Sequence, residues 1–305
     1  MRVTLLGPQR RPTLDTVAAA LYPEGPIATI TAGWQEREPD DGELGQLLGS
    51  RDVNLRLYRR WLDVQERDPE FALAERRLAA VLEELQDLYL LRLDPALRAV
   101  YAVQRGSGSQ RLRASVLAEA IDAVRELDAA HLRRVGAVRG EFYQRLPPHD
   151  RPVIAGHRAE VAGLLGDAAA VVVAGGHVGM LADVLHLFNV AASLRSAVIA
   201  WSAGAMALAE RIVLFHDRSA HGPGHPESYG SGLSVFRNVV PLPHARARLL
   251  LDDAPRMAVF ARRFAPARCV LLENGTRIDT GSDGSCPPGT RVLAGDGRVT
   301  TLEAA

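Results

Sequence analysis

The chain contains no lysine: all 36 of its basic residues are arginine, and they are balanced by 36 acidic ones. Without lysine there is no P-loop, no Schiff-base nucleophile and no Ser-Lys dyad. The zero formal charge gives no whole-molecule field to attract nucleic acid or an acidic membrane, so neither is expected as a partner. Cysteine is equally scarce. Cys269 lies in an apolar run and Cys286 beside Pro287, which supplies neither a metal-ligand spacing nor a disulfide framework. No stretch reaches the ~18 apolar residues of a membrane span, and the apolar run Val3-Thr4-Leu5-Leu6 is too short for a signal peptide. A cytoplasmic protein that needs no cofactor and no metal is the expectation.

What is present reads as an α/β chain. Residues 2–6 look like a buried strand, followed by a helix from about Thr13 to Leu21 that Pro23 and Gly25 close; Ile27 to Thr31 and Val53 to Leu57 are further strands. From Leu57 to about Leu146 the pattern turns almost wholly helical. Asp68-Pro69-Glu70 starts a helix, Asp94-Pro95 restarts one, Gly106-Ser107-Gly108-Ser109 is a break, and Pro147-Pro148 ends the region. Apolar stripes through Phe71, Leu78, Leu82, Leu85 and Tyr89, and through Leu117, Ile121, Val124, His131 and Val135, mark the inner faces of a helical hairpin or bundle. The alternation then resumes with a helix at Val153–Leu165, a strand at Ala170–Val173, a helix at Gly179–Ala191 and a strand leading to Ser202. Strands at Ile212–Phe215 and within Val235–Leu242 follow, then a helix at Arg256–Phe264. Cys269–Glu273, Arg291–Ala294 and Arg298–Leu302 read as closing antiparallel strands. The expected architecture is a mostly parallel sheet with flanking helices, built from residues 1–56 and 151–305, with an all-helical insertion at 57–150.

The stretch Ala197-Val198-Ile199-Ala200-Trp201-Ser202-Ala203-Gly204-Ala205 carries the chemistry. A buried strand that runs into Ser-x-Gly and then a helix pushes the serine hydroxyl out at the carboxyl end of the sheet, which makes Ser202 the candidate nucleophile. An ordinary helix N-cap is the plain alternative. A serine hydroxyl needs a base and a group to orient that base. Because open α/β sheets gather ligands at the carboxyl ends of their strands, Asp217 and His244, each just past a strand, are the candidates for acid and base, with Glu227 in reserve. The backbone N–H groups of Gly176 and Ala203 are the expected oxyanion donors, with Gly175 beside them. His177 and Arg246 are candidate substrate-binding residues. His216, His221 and His225 make no metal site in this reading, because Gly222-Pro223-Gly224 and Pro226 break the helix that would align them.

Ala174-Gly175-Gly176, Trp201-Ser202-Ala203-Gly204-Ala205, Asp217 and Pro243-His244 together resemble the successive motifs of the dipeptidase E and cyanophycinase family of serine peptidases. The resemblance implies a fold related to class I glutamine amidotransferases. It also implies Ser202 as nucleophile, His244 as base, Asp217 as acid, and Gly176 with Ala203 as the oxyanion hole. Two departures separate the catalytic motif from the family's substrates: His177 stands where the family has Asp or Asn, and Ala245 where an aromatic is common. The expected activity is cleavage of a peptide or isopeptide bond in a small peptide-like substrate by a chain that can form a homo-oligomer. An inactive amidotransferase-like scaffold and an esterase are the alternatives.

Overall fold

Short, fully buried apolar segments organise the molecule. The computed structural model describes residues 1–9, 13–22, 24–218 and 224–303; Pro23, His221, Gly222 and Pro223 lie outside the described residues. In chain order the first elements are β1 (Val3–Leu6), α1 (Leu14–Leu21), β2 (Ile27–Ile30), α2 (Gly42–Leu47) and β3 (Asp52–Asn54). Next come α3 (Leu57–Arg67), α4 (Pro69–Arg105), α5 (Gln110–Arg145), α6 (Pro152–Asp167), β4 (Ala170–Val173), α7 (Val178–Leu187) and α8 (Val190–Ser193). The rest comprises β5 (Ala197–Trp201), α9 (Ala203–Leu208), β6 (Arg211–Leu214), β7 (Glu227–Ser231), β8 (Val239–Pro243), α10 (Ala245–Arg248), α11 (Ala254–Phe264), β9 (Arg268–Leu272), β10 (Arg277–Thr280), β11 (Arg291–Leu293) and β12 (Val299–Thr301).

The main sheet has the order β10-β1-β5-β4-β2-β3. Every pair in it is parallel except β1–β10. Strands β1, β2 and β4 are buried along their whole length, as expected of a sheet covered by helices on both faces. Three differences from the sequence reading have physical causes. Strand β10 carries a single apolar residue, Ile278, yet it closes the edge by pairing with β1. Strand β9, expected as antiparallel, runs parallel to β8 and antiparallel to β11 in a second sheet, β12-β11-β9-β8. The helix expected over Gly179–Ala191 is broken, because Asn189 takes a left-handed conformation (φ 52°) between α7 and α8.

Helices α4 and α5 form a long hairpin. The Asp68 carboxylate caps α4 by accepting the Phe71 N–H, and Ser109 caps α5 in the same way through Leu112. Pro95 does not restart a helix: α4 runs through it. The hairpin has its own apolar seam, in which Tyr89, Leu93, Leu97 and Val100 face Leu117, Ile121, Val124 and Leu127, and Val259 of α11 completes the cluster. At its base Phe71 and Phe142, with ring centroids 5.4 Å apart, join the main core.

Candidate active site

Ser202 sits between β5 and α9 with φ 51° and ψ −123°. A side-chain-bearing residue held there stores roughly 1–3 kcal/mol of backbone strain. The residue occupies the N-cap position of α9, but its hydroxyl makes no capping hydrogen bond. The tightness of the turn also explains Gly204, where a Cβ would collide with the Val173 carbonyl and lie 2.8 Å from the Ala174 carbonyl oxygen. The Ala203 N–H opens α9 and therefore has no partner within the helix.

The loop after β4 lies against the serine. A Cβ on Gly175 would be 2.9 Å from Ser202 Cβ and 3.4 Å from its Oγ. Gly176 has φ 127°, and a Cβ there would come 2.9 Å from Gly33 Cα. The His177 N–H donates to the Gly33 carbonyl at 2.7 Å, which ties this loop to the one after β2. The His177 ring has a local use: its Nδ1 accepts the Met180 N–H at 3.0 Å and caps α7.

His244 follows β8 in a left-handed conformation (φ 56°) and begins the short helix α10. Together with Ser202, Gly175 and Gly176 it lines one cavity of about 700 Å³. Leu14, Leu44, Leu47, Trp34 and Trp201 give that cavity an apolar wall, and Gln9, Arg37, Asp40 and Glu43 supply polar groups. Trp34 and Gln9 escaped the sequence reading. The available signal was their position just past β2 and β1, at the same strand ends as Ser202.

The structure therefore brings Ser202, His244, Gly175 and Gly176 to one cavity. His177, Arg246, Asp217 and Glu227 are not among the residues that line it. Asp217 is buried at the far end of α10. Its N–H donates to the Arg248 carbonyl at 2.7 Å, and its carboxylate accepts from Arg256 Nη2 at 2.6 Å and from the Leu250 N–H at 3.1 Å. Glu227, on β7, accepts from Gln86 of α4 at 2.8 Å; burial pushes its carboxyl above the usual range. It borders a separate cavity of about 230 Å³ with His216, His225 and Arg248. Burial holds the His225 pKa below its ordinary value, and its ring stacks on Tyr101 with centroids 5.9 Å apart. Among the described residues no group of three or more His, Cys, Asp or Glu is gathered for a metal ion. The Arg246 side is exposed, while its backbone N–H donates to Glu273 Oε1 at 2.7 Å. Glu273, at the end of β9, was read only as the end of a strand.

Among the described residues no helix is long and apolar enough to cross a membrane. No protein-family model matches the chain, and no curated protein matches it. Among solved structures it is similar to the crystal structure of a peptidase from an acI-B1 Actinobacterium, with 14% sequence identity and a TM-score of 0.45 over 99% of this chain and 94% of that one.

Proposed function

We propose that this chain is a serine hydrolase of peptidase or amidase type that cleaves a peptide or isopeptide bond through an acyl-enzyme on Ser202. One observation carries the reading: the Ser202 hydroxyl is held at a strained strand-to-helix turn without a capping bond, packed on Gly175, and shares its cavity with His244. A serine that served only to cap α9 would need neither the strain nor the glycine wall.

In the proposed reaction His244 removes the Ser202 proton as Oγ attacks the substrate carbonyl carbon. The tetrahedral intermediate then collapses, the C–N bond breaks, and His244 returns the proton to the leaving amine. Water, activated by the same imidazole, hydrolyses the ester and regenerates Ser202. The Gly176 and Ala203 N–H groups are the proposed donors to the oxyanion. Asp217 supports His244 through the backbone in this reading, since it fastens the far end of the helix that His244 begins. A cavity of about 700 Å³ suits a short peptide-like substrate.

A fluorophosphonate probe should label the wild-type protein and leave Ser202→Ala unlabelled. Equal labelling of both removes Ser202 as nucleophile, and a folded wild-type protein that takes no label returns the chain to the scaffold reading. A matched panel of peptide, isopeptide and ester substrates separates peptidase from esterase.

A further inference from the structure

We infer that the helical hairpin carries a binding site for a small amphipathic carboxylate, one anionic head group on an apolar tail. The inference stands apart from the hydrolase reading, because the site shares no lining residue with the cavity of Ser202. It is a cavity of about 340 Å³ on α4 and α5, floored by Leu85, Leu88, Leu91 and Leu127. That volume suits a small organic ligand.

The charged part of the lining is of one sign. Arg92 and Arg134 are its only charged members besides the imidazole of His131. Elsewhere on the hairpin arginines have a carboxylate three or four residues away, as in Arg98–Asp94, Arg125–Asp122 and Arg145–Glu141. At those spacings Arg92 has Leu88, Tyr89, Pro95 and Ala96, and Arg134 has Ala130, His131, Ala137 and Val138. No carboxylate of a described residue pairs with either guanidinium.

Helix geometry brings these two cations together. Tyr89 fixes the register of the hairpin, since its hydroxyl donates to Asp128 at 2.7 Å and its ring stacks on His131 with centroids 4.2 Å apart. Arg92 stands one turn nearer the hairpin tip than Tyr89, and Arg134 one turn farther from the tip than His131. Helical side chains tilt towards the N-terminus of their own helix. In antiparallel helices these two tilts point at each other, so both guanidinium groups lean over the Tyr89–His131 stack. Two like charges above an apolar floor repel; a carboxylate between them removes the repulsion and matches both planar forks. The buried Nε2 of His131, in the wall of the same cavity, has no hydrogen-bond partner among the described residues.

The floor supplies the rest of the ligand's chemistry. Leu88 is 51% exposed and Leu91 72%, beside a Leu127 that is almost buried. Such a row of leucines gains by taking an apolar tail out of water, and the absence of acidic residues from the lining rejects a cationic amphiphile.

The test is calorimetric titration of the full chain with octanoate below its critical micelle concentration, with acetate, hexanoate and octyltrimethylammonium as comparisons. Octanoate should bind in a 1:1 ratio, hexanoate roughly fourfold more weakly per methylene removed, and the other two not at all. Both arginines are exposed, and glutamine is a good helix former, so Arg92→Gln and Arg134→Gln should melt like wild type without ligand. Each should weaken octanoate binding at least ~10-fold, and saturating octanoate should raise the melting temperature of wild type more than that of the double variant. Equal affinity for octanoate and octyltrimethylammonium, or an affinity that the double variant retains, overturns the inference, because either belongs to unspecific adsorption on leucines. A wild-type dimer that ignores octanoate and that Leu91→Glu makes monomeric also overturns it, and gives the face to a second copy of the chain.

Discussion

Asp128 of α5 and Arg263 of α11 meet through hydrogen bonds of 2.6 and 2.7 Å, with side chains only 2% and 1% exposed. The Tyr89 hydroxyl joins them: it donates to Asp128 at 2.7 Å and accepts from Arg263 at 2.8 Å and from the Ser228 N–H at 3.1 Å. Arg263 also donates to the Pro226 carbonyl at 2.7 Å. One polar knot therefore fastens the helical hairpin to α11 and to the entry of β7.

Removing one partner of this knot should be costly. Asp128→Ala leaves a buried guanidinium without its counter-charge, so the expected loss is about 3–5 kcal/mol in a denaturant titration. Replacing both members with apolar residues, as in Asp128→Leu with Arg263→Met, should recover much of that loss. A single variant within ~0.5 kcal/mol of wild type would show that the knot contributes little beyond its neighbours.

The elbow makes a different prediction about stability. Alanine at 202 inherits φ 51° and ψ −123°, whereas glycine adopts such angles without steric cost but loses more chain entropy on folding. Relief of roughly 1–3 kcal/mol of strain against that entropy leaves Ser202→Gly more stable than Ser202→Ala by about 1 kcal/mol. Neither variant should take a fluorophosphonate label. Thermal melts that rank the alanine variant equal or higher would mean that the turn is unstrained.

What the sequence disclosed followed from how local each signal is. The Ser202 turn was readable because strand, serine, glycine and helix are contiguous, and Gly175-Gly176 because a close backbone approach excludes side chains. His244 was found at a strand end, yet Asp217 was nominated by the same rule with a different geometry behind it. Strand β6, which precedes Asp217, pairs with β7 in a two-stranded sheet, and β8, which precedes His244, belongs to the four-stranded one; neither lies in the main sheet, and of the two residues His244 lines the cavity with Ser202. The contact of Glu273 with the Arg246 N–H was not legible for a related reason. In an antiparallel strand its residue would fall at the opposite end from His244; only the parallel pairing of β8 with β9 brings the two together, and pairing direction is not written in four apolar residues. The hairpin helices were legible from Asp68-Pro69, the break at Gly106-Ser107-Gly108-Ser109 and the apolar stripes, while Ser109, read as part of that break, caps α5, and Pro95 suggested a restart that α4 passes through.

His131 gives the fold an acid-sensitive contact. Its ring stacks on Tyr89 with centroids 4.2 Å apart, is 2% exposed, and has an Nε2 without a hydrogen-bond partner among the described residues. Burial holds its pKa below the ordinary value, with Asp128 opposing that shift and Arg134 adding to it. The folded state therefore binds fewer protons than the unfolded chain as pH falls through about 6.5, so stability drops from that point down to the folded-state pKa. Between about pH 7.5 and 5.5, wild type should lose more stability than His131→Phe, read as the change in urea midpoint. Parallel pH curves for the two proteins would contradict the buried neutral ring.

The glycine wall can be tested without touching a catalytic side chain. A Cβ on Gly176 has no room beside Gly33, and its φ of 127° is one that alanine rarely adopts, so Gly176→Ala must shift the loop that carries a proposed oxyanion donor. Loss of one such donor elsewhere costs on the order of 10²–10³ in kcat, and a fall of at least ~10²-fold in turnover of the best substrate is expected here. Gly163→Ala is the matching control: it lies inside α6 with open space around a new Cβ, so it should stabilise the protein by about 0.5–1 kcal/mol and leave turnover alone. Gly176→Ala with wild-type turnover would remove the loop after β4 from the reaction. A loss confined to thermal stability would assign Gly176 to packing against Gly33 and leave Ala203 as the one backbone donor still proposed.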